Sequence, residues 1–162
     1  MYVYMATDDA SLHSLAQQAR TQRLQGDHHG DSPFPLTGYC FDNAFVLRHI
    51  LEQHGYQPHL VVGLAERYAE SLLRDVQPSG LTTVEDLAGY VHYWVEVEDT
   101  VVDIAPELET HLGEVYVGSL PDSYHRMKDS YEEGNATYHS AMGRRCVVCG
   151  GEESRCGCER DD

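Results

Sequence analysis

The run CFDNAFVLRHILEQHG, from Cys40 to Gly55, constrains the fold more than any other part of the chain. Cys40, Ala44, Leu47 and Leu51 recur at helical spacing on one face, and Phe41, Phe45 and Val46 widen the apolar surface around it. Gly55 is a typical helix stop. A helix apolar over so much of its circumference is central, so the other elements must cover it. The chain has 162 residues, 41% of them hydrophobic. That is enough for one compact domain with a small appendage.

The remaining elements follow from pattern. Leu12, Leu15, Ala16 and Ala19 keep helical spacing behind Asp8 and Asp9, which predicts an amphipathic helix over 8–25. The Gly- and Pro-rich stretch 26–38 reads as a loop. HLVVGL (59–64) reads as a strand, AERYAESLLRDV as a helix, and QPSGLTTVEDLAG as a loop in which 79–89 forms either a lid or a plain connection. YVHYWVEVE (90–98) alternates and is β-branched and aromatic, so it reads as a strand. TVVDIA (100–105) is its hairpin partner after a turn at Glu98-Asp99, and a further strand is expected near 114–118. A helix near 121–133 completes the body, and Tyr124, Tyr131 and Tyr138 fit one face of a helix. This order predicts an α+β domain, with N-terminal helices packed on an antiparallel sheet.

Charge excludes some functions. Against 27 Asp and Glu stand 11 Lys and Arg, a formal net charge of -16, which disfavours nucleic acid as a partner. The acidic residues are spread along the chain, and Lys128 is the one lysine. Such a surface suits a halophilic protein, whose salt screens self-repulsion, and equally an ordinary acidic soluble one. No apolar run approaches the roughly 20 residues of a spanning helix, and no export signal is visible at the N-terminus. The five cysteines are an odd number. A reducing cytoplasm, where thiols serve catalysis or metal, is therefore expected.

Cys40 is the one cysteine outside the C-terminal cluster, and it sits at the first turn of the apolar helix. Backbone N–H groups and the helix dipole there stabilise a thiolate and could hold an oxyanion. A nucleophile of this kind needs a base and a group that orients the base. His92 and Asp103 supply both if the two strands form a hairpin, which brings them roughly opposite each other. Alternation puts His92, Trp94 and Glu96 on one face and Tyr93, Val95 and Val97 on the other, without saying which face meets the helix. Taken singly, each residue also fits a structural role: Cys40 in the core, His92 in a strand, Asp103 at a turn.

GYCFDNAFVLRHILEQHGYQPHLVVG followed by VHYWVEVEDTVVDIAP resembles the transglutaminase-like superfamily of papain-like thiol enzymes, over about residues 36–106. The resemblance implies Cys40 as nucleophile, His92 as general acid and base, and Asp103 as the residue orienting the imidazole. Trp94 and Glu96 would be scaffold residues of the His strand. The family's common form has an aromatic before the Asp where this chain has Val101-Val102, a departure that bears on the pocket rather than the triad. For the upstream side chain of the oxyanion hole, Gln25, His28 and His29 are candidates by position alone. Leader peptidases of peptide-maturation systems share this core, so a peptide or protein amide is the implied substrate. Hydrolysis and transamidation differ only in whether water or an amine resolves the thioester. The alternative is a non-catalytic module that binds a peptide or protein.

The tail CVVCGGEESRCGCERDD carries Cys146 and Cys149 as C-x2-C before two glycines, then Cys156 and Cys158 as C-x-C. Four thiolates in so short a segment can surround one structural Zn2+ tetrahedrally, in the manner of a zinc knuckle. Disulfides or an accessory thiol pair remain open. So short a segment has almost no core, and metal would supply most of its folding energy. The expected division is a domain over 1–140 and a zinc-binding tail over 141–162.

Overall fold

The computed structural model describes residues 9–26, 36, 39–65, 91–127, 129–148 and 150. Helix α1 (Asp9–Gly26) and helix α2 (Cys40–Gln53) precede strand β1 (His59–Ala65). The β2 (Val91–Val97) and β3 (Thr100–Asp103) strands follow, then a 3-10 turn at Glu109–His111. Strands β4 (Tyr116–Gly118) and β5 (Tyr124–Arg126) lead into helix α3 (Ser130–Ala141). The five strands form one antiparallel sheet in the order β4-β3-β2-β1-β5. The α+β class and the antiparallel sheet are as expected. The helix assigned to AERYAESLLRDV and the segment 79–89 lie outside the described residues, as does most of the loop 26–38.

Helix α2 is the centre, as its sequence demands. Phe45, Val46, Leu47 and Leu51 are at most 1% exposed, each burial contributing roughly 1.5–3 kcal/mol. The helix stops in a Schellman arrangement: Gly55, at φ +87°, donates to the Glu52 carbonyl, and Tyr56 N–H donates to Leu51. The tight turn expected at Glu98-Asp99 closes the β2–β3 hairpin, with Val97 paired to Thr100.

The sheet has two unlike faces. Val95, Val97 and Val102 pack with α1, α2 and α3 in the main core, and Tyr93 leans on it. On the opposite face Trp94, Val61, Val101 and Tyr124 form a second cluster under the 104–123 segment. The helices therefore meet the Tyr93 face, and His92, Trp94 and Glu96 point away from them. Helix α3 lies so flush on β1 that a Cβ on Gly134 would stand 1.7 Å from the Leu60 carbonyl oxygen. It also ties to α2 where the Arg48 guanidinium covers the Tyr138 ring at 4.0 Å.

One sequence expectation is corrected. No helix spans 121–133: Tyr124–Arg126 is the edge strand β5, and the helix runs from Ser130 to Ala141. Pro121, Asp122 and Ser123 form a turn, closed by Tyr124 N–H on the Pro121 carbonyl at 3.0 Å. That turn delivers Tyr124 to Ala65 in the β1 pairing. Asp129 then takes a left-handed φ of 58°, so the helix begins only after it. Tyr131 and Tyr138 share this helix, while Tyr124 does not.

The expected boundary at 140/141 falls on the last residues of α3. Beyond it the chain turns back onto the domain: Arg145 pairs with Asp42, and Val147 packs against the main core. Among the described residues, no helix is long and apolar enough to cross a membrane.

Candidate active site

The approach to Cys40 is held by buried polar contacts. Asn43 accepts from Arg23 Nε at 2.9 Å and donates from its amide to the Leu36 carbonyl at 3.1 Å, tying α1 to the chain that enters α2. Tyr39 N–H donates to the same Leu36 carbonyl at 3.2 Å. Cys40 is the first residue of α2, whose N-terminus has no side-chain cap. The first helical bond runs from Asn43 N–H to the Tyr39 carbonyl, so the N–H groups of Cys40 and Phe41 point out of the helix end.

The structure brings Cys40, His92 and Asp103 together at the start of β2. The Cys40 thiol is half-buried, and its Sγ donates to the Val91 carbonyl at 3.6 Å. His92 and Asp103 are 1% and 3% exposed, and His92 Nε2 bonds Asp103 Oδ2 at 2.6 Å. Cys40 lies near enough to the imidazole to favour its charged form. The cluster is assembled across the sheet: the thiol comes from the helix layer, the imidazole and carboxylate from the opposite face.

The hairpin register refines the expected pairing. Val95 faces Val102 and Val97 faces Thr100, so Asp103 is in register with Trp94 and meets His92 on the diagonal. Residues of one parity share a face, and the diagonal is within reach of long side chains. Asp103 is pinned at both oxygens: Ala105 N–H donates to Oδ1 at 3.0 Å, and Tyr124 OH donates to Oδ2 at 2.8 Å.

Electrostatics follow from this packing. Burial by itself would lower the His92 imidazole, but the charge and hydrogen bond of Asp103 outweigh it. With the contribution of Cys40, they push it up to about 10. The imidazole is therefore protonated at neutral pH, and its neighbouring sulfur faces a cation. Burial, then the Cys40 and Glu133 charges, push the Tyr93 phenol up to about 12. Burial and the Asp103 charge raise the Tyr124 phenol far above its usual range, so it remains a donor.

Trp94 and Glu96 hold the strand. Glu96, 1% exposed, accepts from Trp94 Nε1 at 2.9 Å, from Arg126 Nε and Nη2 at 2.8 and 2.7 Å, and from Tyr131 OH at 2.9 Å. One carboxylate thus joins β2, β5 and α3. A cavity of about 510 Å3 opens between Phe41, Tyr93, Thr137, Ser140 and Arg144. Phe41 and Tyr93 directly follow Cys40 and His92 in sequence.

Sequence reasoning missed Tyr124, having placed it in a helix. The Pro-Asp-Ser turn signal just before it was the available clue. Of the oxyanion-hole candidates, Gln25 is exposed on α1, and His28 and His29 lie outside the described residues.

In the tail, Cys146 is buried and its Sγ accepts Val148 N–H at 3.4 Å, while Gly150 N–H donates to the Cys146 carbonyl at 2.8 Å. Gly150 has φ +78°. Cys149, Cys156 and Cys158 lie outside the described residues. Among the described residues no group of three or more His, Cys, Asp and Glu could hold a metal.

No protein-family model, curated protein or solved structure matches the chain. The functional reading therefore stands on the geometry of the site.

Proposed function

We propose that the protein is a thiol acyl-transfer enzyme built on a transglutaminase-like core, with Cys40 as nucleophile, His92 as acid and base, and Asp103 as orienting residue. The observation that carries this reading is the buried imidazole, bonded through Nε2 to Asp103 at 2.6 Å, with Cys40 near enough to favour its charged form. A stray strand histidine needs neither partner. A nucleophile's base needs both.

In this mechanism the Cys40 thiolate attacks an amide carbonyl carbon, and the oxyanion is met by the N–H groups at the α2 N-terminus. The imidazolium gives its proton to the departing amine as the C–N bond breaks, leaving a thioester. Neutral His92 then takes a proton from water, which attacks the thioester carbonyl; the C–S bond breaks, releasing the carboxylic acid and restoring the Cys40 thiolate beside the imidazolium. An amine in place of water gives transamidation. A peptide or protein amide is the substrate class of this reading, and the cavity between Phe41 and Tyr93, about 510 Å3, has room for one of its side chains.

The same reading gives the tail one structural zinc held by Cys146, Cys149, Cys156 and Cys158. The described part fits this: an N–H directed at the Cys146 sulfur and a left-handed glycine one residue after the second cysteine are what a metal thiolate turn requires. Four thiolates leave no open position, so the metal would contribute folding energy and not chemistry. A nucleophilic thiol also suits a reducing cytoplasm.

The test is alkylation of Cys40 by iodoacetamide at pH 6, together with labelling by an electrophilic ester probe. Cys40 should react roughly tenfold or more faster than free cysteine, because an ordinary thiol is mostly protonated there. Ester labelling should disappear in Cys40→Ala and His92→Ala. A rate equal to that of free cysteine refutes the nucleophile and leaves a domain that binds without chemistry.

A further inference from the structure

We propose that Tyr124 is a positioning residue of the acyl-transfer site, locking the Asp103 carboxylate and sharing its Oδ2 with the His92 imidazole. The inference rests on the reading of Cys40 as nucleophile and adds a fourth member to that site.

The geometry is specific. Tyr124 stands on the edge strand β5, and Asp103 ends β3, with β1 and β2 between them in the sheet. The phenol crosses both strands to reach Asp103 Oδ2 at 2.8 Å, the same oxygen that His92 Nε2 bonds at 2.6 Å. Its proton has one direction to take, because Glu107 N–H already donates to the phenol oxygen at 2.8 Å. The ring is 2% exposed, lies against Trp94 with centroids 5.0 Å apart, and meets the His92 ring edge-on at 5.3 Å. A phenylalanine would fill that space equally well. The hydroxyl is what the packing does not require.

Its consequence lies in the shared oxygen. Without Tyr124, Oδ2 would have the imidazole as its sole donor of the two, and Ala105 N–H on Oδ1 would alone restrain the carboxylate from the other side. Two donors on one oxygen compete for its electron density. A stronger phenol donor therefore weakens the hold of Oδ2 on the imidazolium, and a missing one strengthens it. The groups facing His92 are Cys40 from α2, Asp103 from β3 and Tyr124 from β5, and the Glu107 charge also reaches the phenol. Tyr124 thus holds the carboxylate still and moderates how tightly the imidazole keeps the proton it must release to the leaving amine.

The experiment compares wild type, Tyr124→Phe and a protein carrying 3-fluorotyrosine at position 124, a stronger donor of nearly the same shape. The His92 ring is followed by NMR against pH, assigned with His92→Ala, and Cys40 alkylation is measured in parallel. Tyr124→Phe should move the His92 titration up by about one pH unit, as expected for a lost hydrogen bond to a charged group. The fluorinated residue should move it down. Opposite displacements are what a space-filling ring would not produce, and the fluorinated protein keeps the comparison open if the phenylalanine variant does not fold. Coincident titrations in folded proteins whose Cys40 stays fast overturn the role of Tyr124 alone. A wild-type thiol no faster than free cysteine removes the nucleophile, and with it the site that Tyr124 serves.

Discussion

Raising the pH should cost the fold on the order of 5 kcal/mol through one residue. His92 moves from its ordinary 6.5 to about 10 in the folded protein: burial would lower it, but the Asp103 charge and hydrogen bond together with Cys40 outweigh burial. A raised value means that the folded state holds a proton which the unfolded chain has released. The contribution is fully present below pH 6.5 and is lost as pH rises through about 10. Across that window the slope is about 1.4 kcal/mol per pH unit, and the sum rivals the roughly 5–15 kcal/mol stability of a whole domain. The imidazole is 1% exposed, so solvent does little to screen the pair. Asp103→Asn removes the larger attraction and leaves burial opposed by Cys40 alone, so its imidazole should give up its proton at lower pH than in the wild type. Urea unfolding of both proteins at intervals from pH 6 to 10 isolates the effect, since the acidic surface titrates alike in each. The stability gap between them should close steadily between pH 7 and 9. Parallel profiles there would refute the charged pair, and with it the protonated resting state assigned to His92.

Two further outcomes are expected. Gly134→Ala places a Cβ 1.7 Å from the Leu60 carbonyl oxygen and must push α3 off β1, costing about 3 kcal/mol in a urea melt. An alanine in an open helix would instead gain about 1 kcal/mol, so any stabilisation would contradict the close approach. Native mass spectrometry should find one zinc per chain, lost in Cys146→Ser, and a folded, metal-free C-terminus would end the proposal of a zinc tail.

How much of this was legible in the sequence depends on how local each signal is. The 3.6-residue repeat of Ala44, Leu47 and Leu51 identified α2, and their burial confirms it as the central helix. The alternation of VHYWVEV and the short turn before TVVD identified the hairpin, and the antiparallel pairing brought His92 and Asp103 roughly opposite each other. Parity is symmetric, however, and both faces of β2 are buried, so the sequence held no sign of which one meets the helices. The diagonal between His92 and Asp103 sharpens the expectation that the two lie roughly opposite: with Val97 paired to Thr100, Asp103 comes level with Trp94. It depends on the Glu98-Asp99 turn, where Glu98 takes the left-handed φ of 55°.

Tyr124 was lost for a different reason. Its strand has three residues, too few for a period of two to show, and polar neighbours on both sides resemble an amphipathic helix. The contact that gives it a role spans 21 positions in the chain and two intervening strands in the sheet. Nothing in the spacing of Asp103 and Tyr124 records that contact, because it exists only once β5 has paired with the far edge of β1. The same holds for Cys40 and His92, which meet around the end of β2 from opposite layers. Local periodicity can build each layer, but a site that joins two layers is set by where strands end. Here Val91, the first residue of β2, fixes the meeting point: its carbonyl accepts the Cys40 thiol, and the next residue is His92.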